Sequence, residues 1–361
     1  MTVFSGRTRI GLVPRLSGVG GPSSFNQKFS AGLASRGIEV TADLDDPALA
    51  AVLVNGGARR LDLLWRVRRQ GIPLVQRLDG INWIHRRRFT SLRHFLRSEQ
   101  NNWLLAFIRR RLATRIVYQS QFTRAWWQRL YGPISSPSSV VYNGVDLEMY
   151  HPSADQVSLP IWVDRDSQPA PEDAGATSHV RILVVEGRLR GGTELGLENA
   201  FRLAEALAAT FPSELVVAGD VPARVRQSLA GRHPYVCLTW AGVVPREQIP
   251  SLDRSASLLY SAELNAPCPN SVIEALACGL PVAGYNTGSL PEIVRDGAGR
   301  LAEYGADPFS LDPPPIDGLA QAAQDLLANL ETARKLARAR AESAFSLDTM
   351  VDGYLEALLG I

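Results

Sequence analysis

The stretch VRILVVEGRLRGGTELGLENAFRLAEALAATFPSELVVAGD, residues 180–220, decides the fold. VRILVVEG at 180–187 is a continuous apolar run of strand length that stops at a loop of glycines and arginines. From about 194 to 210 the apolar residues recur at helical spacing, and ELVVAGD at 214–220 is a second apolar run. Strands apolar on both faces and joined through a helix belong in a parallel sheet covered on both sides.

The same alternation extends in both directions. Downstream come VCLTWAG at 236–242, SLLYSA at 257–262, a helix over CPNSVIEALACG (268–279) and the strand PVAGY. A proline-rich joint, PFSLDPPP, then leads into one long helix from about Asp317, and an amphipathic segment over 346–359 follows. Upstream, RIGLV at 9–13 runs through the loop SGVGG into a helix from Pro22 to about Arg36. Strands are expected at IEVTA from Ile38, AAVLV (50–54), PLVQ (73–76), RIVYQS (115–120) and VVYNG (140–144), with helices over ARRLDLLWRVRRQG and QFTRAWWQRL. Between the halves, 151–178 is rich in Pro, Asp and Ser and has almost no periodicity, as expected of a linker. The expected fold is α/β, with two doubly wound domains facing across a cleft and ligands at the carboxyl ends of the strands. The divisions expected are 1–150, a linker at 151–179, 180–344, and a helix at 345–361 returning to the first domain.

A length of 361 residues fits two or three domains, and 45% hydrophobic with 20% charged residues excludes disordered and fibrous classes. The net charge of +2 conceals a division: residues 1–150 hold 22 Lys and Arg against 9 Asp and Glu, and the remainder holds 16 against 27. The basic half suits phosphates, acidic lipids or nucleic acid. Lys28 and Lys335 are the only lysines. From Arg86 to Arg115 nine arginines and one acid, Glu99, are interleaved with Phe89, Phe95, Trp103 and Phe107. Such a segment is a basic amphipathic helix for an anionic membrane, a cationic face for RNA, or a solvated face that packs its aromatics inward. Cys237, Cys268 and Cys278 form no disulfide framework, and no apolar run approaches the ~20 residues of a membrane span. The expectation is a cytoplasmic protein that meets a membrane, if at all, peripherally at its inner face.

Three loops carry candidate chemistry. GVGGPSSF at 18–25 places Gly20 and Gly21 before a helix with an early proline, which makes either a tight turn or an anion cradle. In VEGRLRGG, Arg188 and Arg190 follow a strand's carboxyl end, where two guanidinium forks suit a diphosphate. In APCPNSVIEALACGLPV, Pro269, Asn270 and Ser271 open a helix whose amides and dipole favour an anion, and Glu274 lies a turn later, where it can accept hydrogen bonds from a diol such as ribose. In the first half, RLDGINW offers Asp79, with Asn82 and His85 behind it. His85 precedes three arginines and is expected on the surface. The other histidines lack metal-ligand spacing, so no metal site is expected.

These residues resemble the retaining glycosyltransferases of the two-Rossmann-domain (GT-B) type, family 4. The resemblance covers most of the chain: VYNGVDLEMYHP, EGRLRGG, LVVAGD and, most specifically, PNSVIEALACGLPVAGYNTGSLPEIV. It implies that Glu274 holds the ribose of a nucleotide sugar and Arg188 its phosphates. It also implies that Gly20, Gly21 and the backbone at Asn270 and Ser271 lie by the diphosphate, Gly219 in the donor strand motif, and Val243 or Val244 beside the base. Two positions depart from the pattern. Ala266 stands where the family has an acid touching the donor sugar, and Thr193 where it has a phosphate-binding lysine. The expectation is that Arg190 supplies the missing charge and that Glu263 or Asn265 reaches the sugar. The function implied is transfer of a hexose-type sugar from a nucleoside diphosphate to a hydroxyl acceptor, lipid-linked or a growing glycan, without a metal or other cofactor. The alternatives are a nucleotide-sugar epimerase on the same fold and a non-catalytic sugar-nucleotide-binding relative. Nucleic acid is the less favoured partner.

Overall fold

The computed structural model describes residues 8–16, 20–89, 91–153, 179–189 and 194–361. The chain forms two compact units, 1–144 with 345–361, and 145–344.

In the first unit, β1 (Arg9–Val13), β2 (Glu39–Thr41), β3 (Leu49–Asn55), β4 (Leu74–Leu78), β5 (Arg115–Tyr118) and β6 (Ser138–Val140) form a parallel sheet in the order β2-β1-β3-β4-β5-β6. β3 and β4 are buried on both faces, as expected of strands under helices, although β4 carries Gln76 and Arg77. The last strand comes earlier than VVYNG, because Val141 onward leaves the sheet. There the Asn143 side chain instead takes a hydrogen bond from Arg77 at 2.9 Å. The unit is completed by the helix Leu347–Leu359, whose first turn is capped by Ser346 accepting from the Thr349 amide at 3.0 Å. Its Tyr354 ring meets Phe25 and Phe29 of the helix Gly21–Ala34 at 5.0 and 5.4 Å between centroids. Arg36 reaches both Asp348 and Asp352 across the same contact.

In the second unit, β7 (Val180–Arg188), β8 (Ser213–Asp220), β9 (Leu238–Gly242), β10 (Leu258–Tyr260), β11 (Val282–Tyr285) and β12 (Gly299–Ala302) are again all parallel, in the order β12-β11-β10-β7-β8-β9. Read from β7 outward this is the dinucleotide-fold order, with the chain reversing direction across the sheet between β7 and β10. At the amino ends of the strands, burial opposes the charge of Glu214. The Thr239 hydroxyl and the Arg181 guanidinium nevertheless hold it below the usual carboxylate range and tie β7, β8 and β9 together. The carboxyl ends remain available to a ligand.

Three details differ from the sequence reading. The helix expected from Asp317 is two, Asp317–Ala328 and Leu330–Ala344, divided at Asn329. The division between units falls after Gly144 and not at 150, because Arg338 on the second of these helices holds the carbonyl of Tyr150 at 2.7 Å and that of Ala277 at 2.8 Å. The segment 154–178, most of the expected linker, lies outside the described residues.

Candidate functional site

In the second unit, the crevice that this topology creates lies at the carboxyl ends of β7 and β10. β7 ends in Glu186, Gly187 and the exposed Arg188. The last residue but one of β8 is Gly219, whose φ of +146° and approach to the Glu186 carbonyl leave no room for a Cβ. The loop after β10 carries Glu263, Asn265 and Ala266. Gly196, in the first turn of the helix Glu194–Ala208, packs directly on the Ala262 carbonyl of this loop. Burial, and then the charge of Glu263, push the Glu186 carboxyl well above the ordinary carboxylate range, although it accepts a hydrogen bond from the Glu263 amide. Asn265 adopts a left-handed backbone (φ 54°), is almost fully buried, and has an Nδ2 with no hydrogen-bond partner among the described residues. Ala266 is completely buried beneath Gly288, its carbonyl accepting from the Ser289 amide at 2.9 Å.

Pro269 precedes the helix Asn270–Ala277, so the first amides of that helix, at Asn270 and Ser271, have no partner within it and face out of its N-terminus. The rest of the helix is buried and includes Glu274. Around Glu274 stand Tyr150, Asp253 and the Cys278 thiol. Burial first, then the charge of Glu274, push Asp253 well above the usual range. Burial likewise raises the Tyr150 hydroxyl and the Cys278 thiol. In the second unit Arg188 and Gly219 thus stand at the carboxyl ends of β7 and β8, and the loop after β10 runs through Asn265 and Ala266 to Asn270, Ser271 and Glu274 of the helix that follows it. Val243, 62% exposed, and the half-buried Val244 follow the end of β9, two strands and roughly 10 Å from β7. Arg190 and Thr193 lie outside the described residues.

Gly20, Gly21 and Asp79 belong to the first unit. Gly20 (φ 148°) precedes a helix that no side chain caps, with Pro22 in its first turn. Asp79 follows the carboxyl end of β4 and is half-buried. Burial raises its carboxyl, against the pull of Arg77, and its carbonyl accepts from the Trp127 indole at 2.8 Å. Arg77 is a residue the sequence reading missed. It is 1% exposed, donates to Asn55 and Asn143 at 2.9 Å each, and lies 4.0 Å above the Phe25 ring. Its position beside Gln76 in a strand otherwise of Leu and Val is the one available signal.

His85 corrects the expectation of a surface histidine. Its side chain is buried and pairs with Glu99 at 2.7 Å. Glu99 also takes both arms of Arg86, and these hydrogen bonds, with that from His85, hold its carboxyl down to about 2 against the cost of burial. Asn82 is likewise occupied, its backbone exchanging two hydrogen bonds with the Asn102 side chain. Among the described residues no helix is long and apolar enough to cross a membrane.

Comparison with known proteins gives the fold its relatives. Residues 181–329 match the family model described as "Glycosyl transferases group 1". Sucrose-phosphate synthase from Thermosynechococcus elongatus superposes with a TM-score of 0.71 at 17% identity, covering 96% of this chain and 97% of that one. Anabaena HepE, solved in complex with UDP-glucose, gives 0.68 at 18% identity over 98% and 100%. The O-antigen chain mannosyltransferase B of Escherichia coli is 33% identical over 103 residues, which is 28% of this chain and 26% of that protein. The match therefore spans about a quarter of that relative. By its fold the chain is similar to the GT-B glycosyltransferases, and its residues 181–329 match the model of the glycosyl transferases group 1 family.

Proposed function

We propose that the chain is a retaining, family 4 glycosyltransferase that moves a hexose-type sugar from a nucleoside diphosphate to a hydroxyl acceptor in surface polysaccharide or glycolipid synthesis. The observation that supports this reading is the placing of Arg188 at the carboxyl end of β7, with the open amides of the helix Asn270–Ala277, and Glu274 within it, following the loop after the neighbouring strand β10. A diphosphate there meets a guanidinium and a helix N-terminus, and a ribose diol meets a carboxylate. In the reaction the bond from C1 to the diphosphate oxygen breaks and the leaving diphosphate keeps the electron pair, while the acceptor hydroxyl oxygen bonds to C1 and gives up its proton to the leaving diphosphate. Arg188 and the helix amides neutralise the growing charge, so no metal cofactor is required of the protein. Asn265, with its unused donor, supports a contact to the donor sugar in place of the acid absent at Ala266. Asp79 in the first unit is the proposed polar group on the acceptor side. The mannosyltransferase relative and the UDP-glucose complex of HepE favour a nucleotide-sugar donor and a glycan or lipid-linked acceptor. The protein then acts in the cytoplasm, in peripheral contact with an anionic membrane.

Titration with UDP and GDP, followed by donor turnover with and without acceptor, tests the reading. Arg188→Ala is expected to lose about 10²- to 10³-fold in turnover with an unchanged melting temperature, the usual effect of removing one donor to the developing charge. Glu274→Gln is expected to weaken nucleotide binding. Failure of the wild-type protein to bind either nucleotide would discard the proposal, and donor hydrolysis that ignores every acceptor would favour the epimerase class.

A further inference from the structure

We propose that the solvent face of the helix Leu92–Phe107 is a docking surface for an anionic lipid bilayer. The helix is fixed to the first unit through its buried Ser98, Asn102 and Leu105, with Asn102 locked to the Asn82 backbone. At 100° per residue these three span roughly 60° of the helix. Leu92, Leu96 and Trp103 span roughly 40°, turned about 135° from that buried face. They are 64%, 51% and 62% exposed, and Phe89, just ahead of the helix, is 70% exposed. Trp103 is braced by Phe107, stacked on it at 5.4 Å. The aromatics of this segment therefore do not all pack inward, which leaves a surface that water does not favour.

The charges around it select the partner. Arg93 and Arg97 lie along one side of the stripe, Arg87 and Arg88 precede it, Arg110 and Arg111 follow it, and all six are exposed. The one acid between 86 and 115, Glu99, is engaged by His85 and Arg86. A second copy of the chain would bring the same positive charge to this face. A nucleic acid would satisfy the arginines but leave the leucines in water, since they offer no plane for a base to stack on. Anionic lipid supplies both halves of the complement: headgroup charge for the arginines, which can extend to it along their stems, and acyl chains for the leucines and Trp103. This inference gives a surface to the membrane contact in the proposed function and rests on that clause alone.

The test is co-sedimentation of the full chain with phosphatidylcholine vesicles with and without phosphatidylglycerol. Binding is expected only with phosphatidylglycerol, weakening as salt rises. Arg93→Gln with Arg97→Gln should lower partitioning about 25-fold, at about five-fold per cation. Leu92→Ser with Leu96→Ser should lower it on the order of 10-fold or more. Brominated acyl chains should quench wild-type fluorescence more than that of Trp103→Phe. All variants should keep the wild-type melting temperature and nucleotide affinity, which separates failure at this surface from failure at the donor site. Equal binding to neutral and anionic vesicles would overturn the proposal. So would variants that bind as well as wild type, a dimer dissolved by the leucine substitutions, or salt-sensitive RNA binding without vesicle binding.

Discussion

Asp253 lies on the short helix Ile249–Ser255, 1% exposed and close enough to Glu274 for their charges to interact. Because its carboxyl is raised in the fold, it keeps its proton at a pH where the unfolded chain has already released one. Folding then takes up a proton, so this residue makes stability fall as pH rises from about 4, the ordinary aspartate value, to the raised value in the fold. Asp253→Asn lacks that slope. Its stability relative to wild type should increase steadily between pH 4.5 and pH 8 in urea unfolding, and parallel curves would show that Asp253 ionises within the fold. Nothing in the local sequence announces such a residue: SLDRSA at 251–256 looks solvated, whereas Glu274 is legible because it interrupts an apolar helix. His85 was misread for a similar reason. Its neighbours in sequence are arginines, and the partner that brings it inward, Glu99, lies a helix away.

Elements whose apolar runs are bounded by glycine or proline, such as β3 and β7, could be read to within a residue or two. β12, four residues long with Gly299 and Arg300 in it, could not, since pairing with β11 supplies what its composition lacks. The break at Asn329 was equally hidden, because neither flanking helix carries a proline or glycine there. The helix Leu347–Leu359 was plain from its period, and its weight can be judged. Met350, Val351, Tyr354, Leu355 and Leu358 are buried, and at about 1.5–3 kcal/mol each they contribute on the order of 10 kcal/mol. A whole domain is stable by only about 5–15 kcal/mol. A chain ending before Phe345 should therefore lose the cooperative unfolding transition of the first unit while the second retains its own in calorimetry; two intact transitions would contradict this.

For the whole molecule, the surplus of acids after residue 150 does not oppose a diphosphate at Arg188. At physiological salt, charges farther than about 8 Å are largely screened, so one guanidinium in contact outweighs many distant carboxylates. The division into units has another outcome, for biosynthesis. The first unit is closed by 345–361, which the ribosome makes only after all of 145–344. At about 5–20 residues per second that interval is roughly 10–40 s. Throughout it, Phe25 and Phe29 wait without the Tyr354 ring that will cover them, and by its end all six strands of the second unit have been made. Nascent chains arrested before 345 should accordingly show protease resistance in the second unit and cleavage in the first. The half of the protein translated first is the half that matures last, and a chaperone surveying this chain would find its binding site near the beginning.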